Sequence, residues 1–410
     1  MQAKIITIGD EILVGQTVDT NSTFIAKAFN EIGVKVTEIV SITDTKDHII
    51  EAVDAAVQNN EFVIVTGGLG PTNDDITKTV LTDYFNDELI LYPSILKQIQ
   101  AYFKRFKKPF LAVNELQAML PKNATIIEND LGTASGMWFK KNHSNVLSLP
   151  GVPFEMKALF KKFLDKVKET YDLGNFYHKS VLVTGIGESY LAELLSDWEQ
   201  KCRVNGLSVA YLPSVGTLKI RLTGNIEDKK FIDDQLNILV EKHSKYVVGY
   251  AGTSVGKAIG NLLLKNNETL GTIESCTGGG LAKKIVDVPG SSAYYLGSIV
   301  SYSYLLKESL VDVKHESIVN FGAVSEEVVI EMASNGKIKL GVDYCISISG
   351  VAGPDGGTEE KPVGTVWIAI ATPNGVHTKL FNFGHNRSRN IQSTVMAALN
   401  FLRLILIKQI

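Results

Sequence analysis

What this chain has little of narrows the field first. Only three cysteines occur, Cys202, Cys276 and Cys345, widely spaced and with no CxxC pair. That excludes a disulfide scaffold and a thiolate zinc site. No run approaches the roughly 20 apolar residues that cross a bilayer, and the start MQAKIITIGDEIL lacks the charged-then-apolar pattern of a leader. The expectation is a cytoplasmic protein with no membrane partner. Charge of one sign is scarce too: the net charge is -3, with no basic block or basic-aromatic stripe, so nucleic acid has no electrostatic claim as a partner. Internal repeats and low-complexity segments are missing.

What is present is ample core. The 410 residues are 45% hydrophobic and 21% charged, a soluble globular balance long enough for two or three domains. The first part alternates AKIITIG, STFIAKAFNEIG, KVTEIVSI, KDHIIEAVDAAVQ and EFVIVTGG, reading as strand, helix, strand, helix, strand. This predicts a parallel α/β sheet covered on both faces. SNVLSLPG adds a strand, PFEMKALFKKFLDKVKETY closes with a helix, and the domain should end near residue 172. Residues 173–250 then read as a small α+β module in the order β-α-β-β-α: SVLVTGIG, ESYLAELLSDWEQK, LSVAYLP, GTLKIRLTGN and a helix through KKFIDDQLNILVEKH. It combines no nucleophile, base and glycine loop, so spacing or dimerisation is its expected duty. Residues 251–410 return to α/β alternation, with buried strands TLGTIE, YCISISG and GTVWIAIAT, a helix from Ser325 to Lys339, and a terminal helix through STVMAALNFLRLILI.

Glycine-rich loops mark the candidate sites. AGTSVGKA imitates a phosphate-binding Walker loop but has Ala251 for its first glycine and Ala258 for its metal-binding hydroxyl, so it reads as a helix start capped by Thr253 or Ser254. TGGLGPTNDDITKT follows a strand and precedes a helix. Its Gly67, Gly68 and Gly70 let a ligand approach the backbone, and helix amides after Pro71 favour an anion. Asp74 and Asp75 would repel that anion unless a divalent cation lay between them. The plain alternative is a helix N-terminus whose acids suit the macrodipole. A second glycine-acid turn, GDEILVGQTVDTN, favours a site, because parallel sheets bind ligands at the carboxyl ends of their strands.

In TIESCTGGG a strand stops at a serine, a cysteine and three glycines before a helix. A serine there is exposed, rigid and surrounded by amide hydrogens that can stabilise an oxyanion. The G-x-S-x-G elbow is absent, since Glu274 and Cys276 flank Ser275, and no histidine sits in a comparable motif. A lysine whose pKa is lowered can serve as base, and SIVSYSYLLKESL offers Tyr302 and Lys307. Read plainly, that segment is a strand entering an amphipathic helix with a solvated lysine. SGVAGPDGGTEEKPVGTV, residues 349–366, is too long and glycine-rich for mere connection. Cys276 remains an alternative nucleophile.

These motifs resemble the CinA family, the competence/damage-inducible proteins, over the whole chain. ESCTGG, YSxxxK and SGxAGPxGGTxEKPVGTV resemble the nicotinamide mononucleotide amidases. GDEIL, TGGLGPTxDD, LGTASG and PGVPFEM resemble MoaB/MogA-like molybdopterin-binding domains, and the middle module resembles a KH-like connector. The resemblance implies an N-terminal MoaB/MogA-like parallel-sheet sandwich over 1–172, a KH-like module over 173–250 and a C-terminal α/β amidase domain over 251–410. It implies Ser275 as nucleophile with Lys307 and Tyr302 moving protons, converting nicotinamide mononucleotide and water into nicotinic acid mononucleotide and ammonia without a cofactor. It implies substrate contact by Arg387 in FGHNRSRN. Loop chemistry adds Thr277, Gly278 and Gly279, and Gly353, Gly356 and Gly357. For the first domain it implies metal-dependent hydrolysis of ADP-ribose, with Asp10, Asp74 and Asp75 as ligands of a divalent metal and Gly67, Gly68, Gly70 and Thr72 at the substrate. A homodimer is the expected assembly. YSY stands where the family has YSN, and Gly297-Ser298 where it has two glycines; both bear on pocket shape. A non-catalytic nucleotide-binding or competence adaptor and a molybdopterin-binding protein are the alternatives.

Overall fold

A strand buried on both faces needs apolar residues at successive positions, and FVIVT meets that demand: Phe62–Thr66 is buried throughout. In the computed structural model, which describes every residue except 73 and 172–175, this strand lies inside a six-stranded sheet. The chain divides into two units, Met1–Phe176 and Tyr177–Ile410. The domain boundary expected at residue 172 lies outside the described residues.

In the first unit the strand order is Lys35–Ile42, Gln2–Ile8, Phe62–Thr66, Ser144–Leu149, Gly136–Lys141, Thr125–Ile127. The first four are mutually parallel, and Gly136–Lys141 runs against both of its neighbours. The expected all-parallel sheet is therefore mixed, because Gly136–Lys141 and Ser144–Leu149 meet across a short hairpin rather than a helical crossover. One face packs on the helices Thr20–Glu31 and Pro153–Thr170 through Ile25, Phe29, Phe160 and Phe163. The other packs Val53, Val57, Val80, Leu81, Ile95 and Ile99 of three further helices. Helix Thr20–Glu31 starts where Asp19 accepts the Ser22 N–H at 2.9 Å.

The second unit holds two sheets. The smaller has the order Ser208–Ser214, Thr217–Asn225, Phe176–Thr184, Val247–Tyr250, with Cys202, Ile220, Leu236 and Leu239 in its core. The single helix expected from ESYLAELLSDWEQK is two, Glu188–Leu194 and Ser196–Val204. The strand Val247–Tyr250 was not foreseen; it pairs antiparallel with Phe176–Thr184.

The larger sheet has the order Tyr295–Val300, Leu270–Glu274, Tyr344–Gly350, Thr365–Thr372, Gly375–Asn382. The first three strands are parallel and the last two antiparallel. Helices Val255–Asn266 and Arg387–Leu406 cover one face, and Glu326–Leu340 covers the other. Ser254 caps the first, accepting the Lys257 N–H at 3.1 Å, which is the capped helix start expected in place of a phosphate loop. Arg403, buried in the terminal helix, donates to the carbonyls of Ser244 and Lys245 and so ties this helix to the smaller sheet's chain. No helix among the described residues is long and apolar enough to cross a membrane.

Candidate active site

Ser275 stands one residue beyond the strand Leu270–Glu274, near the middle of the larger sheet. Its own N–H is held by the Ile348 carbonyl of the next strand at 3.1 Å, so the serine's backbone belongs to the sheet. The turn that follows needs a left-handed backbone, and Gly278 and Gly279 supply it at φ 57° and 94°. Glu274 fixes that turn. Its fully buried carboxylate accepts the N–H groups of Gly279, Leu281 and Ala282 at 3.0, 3.0 and 2.8 Å.

This corrects part of the expected anion site. The Gly279 N–H is engaged by Glu274, and the Gly278 N–H donates to the Ser275 carbonyl at 3.0 Å. Neither amide is directed at a ligand in this arrangement; the glycines supply backbone shape instead. Thr277 does face a demand, because its buried Oγ1 has no hydrogen-bond partner among the described residues. The same holds for Ser301 Oγ.

Lys307 comes from the helix Tyr304–Val311, capped by Ser303, which accepts the Leu306 N–H at 3.2 Å. Its side chain is 1% exposed rather than solvated. Nζ lies 2.9 Å from Ser275 Oγ, 2.8 Å from the Ser301 carbonyl and 3.4 Å from the Tyr302 carbonyl. Burial lowers its pKa from the ordinary 10.5 to about 8. A neutral amine has two hydrogens and one lone pair. With the hydrogens on the two carbonyls, the lone pair is left facing the serine hydroxyl.

Tyr302 joins this group by its backbone. Its ring is 58% exposed, and its hydroxyl accepts from Arg387 Nη2 at 3.3 Å rather than bonding to Ser275 or Lys307. Arg387 donates Nη1 to the Gly353 carbonyl at 2.8 Å, which brings the 349–366 loop to the same rim. The buried amide of Asn390 secures that loop by donating to Ala352 and Gly384 carbonyls at 3.0 and 2.7 Å. Gly356 and Gly357 are exposed on the loop. Cys276 is nearly buried, and burial pushes its thiol up to about 12, so it stays protonated at neutral pH.

In the first unit, Gly67, Gly68, Gly70, Asp74 and Asp75 line a cavity of about 510 Å³. Gly67 is obligatory there: at φ 117° an added Cβ would sit 2.2 Å from the Ile8 carbonyl. The helix begins only at Thr77, which corrects the expectation that helix amides follow Pro71. Before that helix, Asp75 accepts from the Thr72 N–H at 3.1 Å and from the Thr72 hydroxyl. The second acidic turn contributes Glu11 to the lining, while Asp10 is absent from it. Among the described residues no three His, Cys, Asp or Glu side chains converge to hold a metal ion. Asp10, Asp74 and Asp75 as placed do not make a ligand set. Sequence reasoning missed Glu155 and Gln117, which line the same cavity. Burial raises the Glu155 pKa, and the buried Gln117 Oε1 has no partner among the described residues. The motif PGVPFEM carried a signal for Glu155; Gln117 had none.

Three segments of the chain match known families. Family profiles described as "CinA C-terminal domain", "Damage-inducible protein CinA KH domain" and "Probable molybdopterin binding domain" match residues 252–406, 178–251 and 4–169. A CinA-like protein of Cytophaga hutchinsonii is 43% identical over 98% of this chain and 97% of its own length. One from Flavobacterium psychrophilum is 41% identical over 98% of each. A crystal structure of a CinA protein from Thermoplasma acidophilum is 34% identical, covering 40% of this chain and 97% of that one, with a TM-score of 0.38.

Proposed function

The chain belongs to the CinA family, and from that premise we propose that its C-terminal domain is a serine-lysine amidohydrolase acting on nicotinamide mononucleotide. One observation carries the reading: a buried lysine amine lies 2.9 Å from a serine hydroxyl at the end of a strand. Neutral Lys307 takes the Ser275 proton as Oγ attacks the carboxamide carbon. The ammonium then returns that proton to the departing nitrogen, and ammonia leaves an ester on Ser275. Water, deprotonated by the same amine, releases the carboxylate. Arg387 retains N–H donors beyond those on Gly353 and Tyr302, which suits it to the substrate phosphate.

The test is formation of ammonia and nicotinic acid mononucleotide from nicotinamide mononucleotide by wild type, Ser275→Ala and Lys307→Ala. Turnover by wild type alone supports the reading. No turnover by folded wild type removes it and favours a non-catalytic nucleotide-binding adaptor.

For the first unit, the cavity lined by Gly67, Gly68 and Gly70 supports ADP-ribose as ligand, hydrolysed to AMP and ribose 5-phosphate. Among the described residues its acids as placed do not form a metal-ligand set. ADP-ribose turnover with and without a chelator decides the dependence, and preference for molybdopterin over ADP-ribose would replace this reading.

A further inference from the structure

We infer that the cleft between the two sheets of the second unit is a binding site for a free nucleotide, separate from the Ser275 site. The cleft holds about 680 Å³, within the roughly 300–1,000 Å³ of small-molecule sites. Its chemistry comes from one strand and the helix that follows. In Gly375–Asn382, Lys379 and Phe381 alternate onto one face, in register with Ile368 and Val366, and that face meets the terminal helix. Phe383 extends the row. The Phe381 and Phe383 rings are 5.8 Å apart and 5° from parallel, and the Lys379 ammonium lies 5.3 Å from the Phe381 centroid. Arg389, in the first turn of helix Arg387–Leu406, and Lys245 complete the positive side.

The charge in this cleft is uncompensated. No ion pair among the described residues includes Lys245, Lys379 or Arg389, and Glu188 is the sole carboxylate of the lining. Aromatic rings sharing a cleft with three unpaired cations suit a flat heteroaromatic base carrying a phosphate. A net charge of -3 opposes a polyanion, so the ligand is a single nucleotide rather than a strand. No hydrogen-bonded nucleophile and base line the cleft among the described residues, so it binds rather than reacts.

Photolabelling of the full chain with 8-azidoadenosine monophosphate, followed by peptide mapping, tests this without reliance on either proposed activity. Label within 379–389 or 184–188 is expected, reduced about tenfold by unlabelled AMP and far less by adenosine or inorganic phosphate alone. Lys379→Glu with Arg389→Glu should remove that label while leaving label elsewhere in the chain. Ser393→Trp, which fills the cleft without changing its charge, should do the same and guards against a folding defect of the first variant. Label confined to the Ser275 or Gly67 regions would overturn the inference, as would cleft label that survives both variants. Protection by a single-stranded decamer at concentrations about tenfold below AMP would overturn the assignment to a free nucleotide.

Discussion

The two candidate sites stand at equivalent places, at the carboxyl ends of parallel strands, yet they are organised in opposite ways. At Ser275 the groups already touch: the hydroxyl meets Lys307, Lys307 meets two carbonyls, and Glu274 holds three amides of the turn. Around Gly67 the acids line a cavity without converging. The contrast is physical. A nucleophile and its base attract through a hydrogen bond, so a fold can bring them together unaided, whereas carboxylates repel one another. Preorganisation can therefore be read directly at the first site and must be measured at the second.

The largest expected effect breaks the first half of the comparison. Ser275→Ala should cost on the order of 10³-fold or more in amidase kcat, while Cys276→Ala stays near wild type. The reverse ranking, measured by product formation, would move the nucleophile to Cys276. Next is Lys307→Met, expected to cost about 10²–10⁴-fold. Lys307→Arg should be equally inactive, because a guanidinium keeps the charge but yields no free base. In the proposed mechanism the base is the unprotonated amine, so kcat/KM should rise with pH through about 8. A flat profile from pH 6 to 9 would exclude Lys307 as the titrating base.

The second half is sharpened by Asp75→Asn. With its carboxylate accepting the Thr72 N–H in the cavity lining, Asp75 should act by holding the glycine loop in place, at about 10–100-fold in ADP-ribose turnover. Amidase activity should not change. Equal loss of both activities would point to misfolding, and unchanged ADP-ribose turnover would remove Asp75 from the site.

How much of this was legible depended on the range of the interaction. The turn after Ser275 and the helix bearing Lys307 were readable because strand, turn and helix signals lie within the quoted motifs, though the use of the Gly278 and Gly279 amides within that turn was not, and the alternation of elements conveyed the α/β class. Partners contributed by distant segments were not. Nothing in SIVSYS says that the Tyr302 hydroxyl meets Arg387 while its carbonyl meets Lys307. The antiparallel strands Thr125–Ile127 and Gly136–Lys141 escaped notice because they are short and their stretch has no clean period. Glu274 was visible in the motif, but its role follows from three bonds that form only once the turn has folded.

That role supplies the smallest and most discriminating prediction. Glu274→Gln preserves size, but the amide leaves one acceptor oxygen and brings an NH₂ against N–H donors. Leaving buried donors unsatisfied costs about 1–3 kcal/mol, so thermal or denaturant unfolding should show a loss of that order. The catalytic cost should be about tenfold, because Ser275 itself remains held by Ile348 and small misplacements of a nucleophile are felt at that scale or above. If the turn acts by positioning, kcat falls and KM barely moves. A stability loss with unchanged kcat would make Glu274 a structural cap only. The nucleophile would then owe its position to the sheet alone, and the contrast with the first unit's cavity would rest on the Ser275–Lys307 contact by itself.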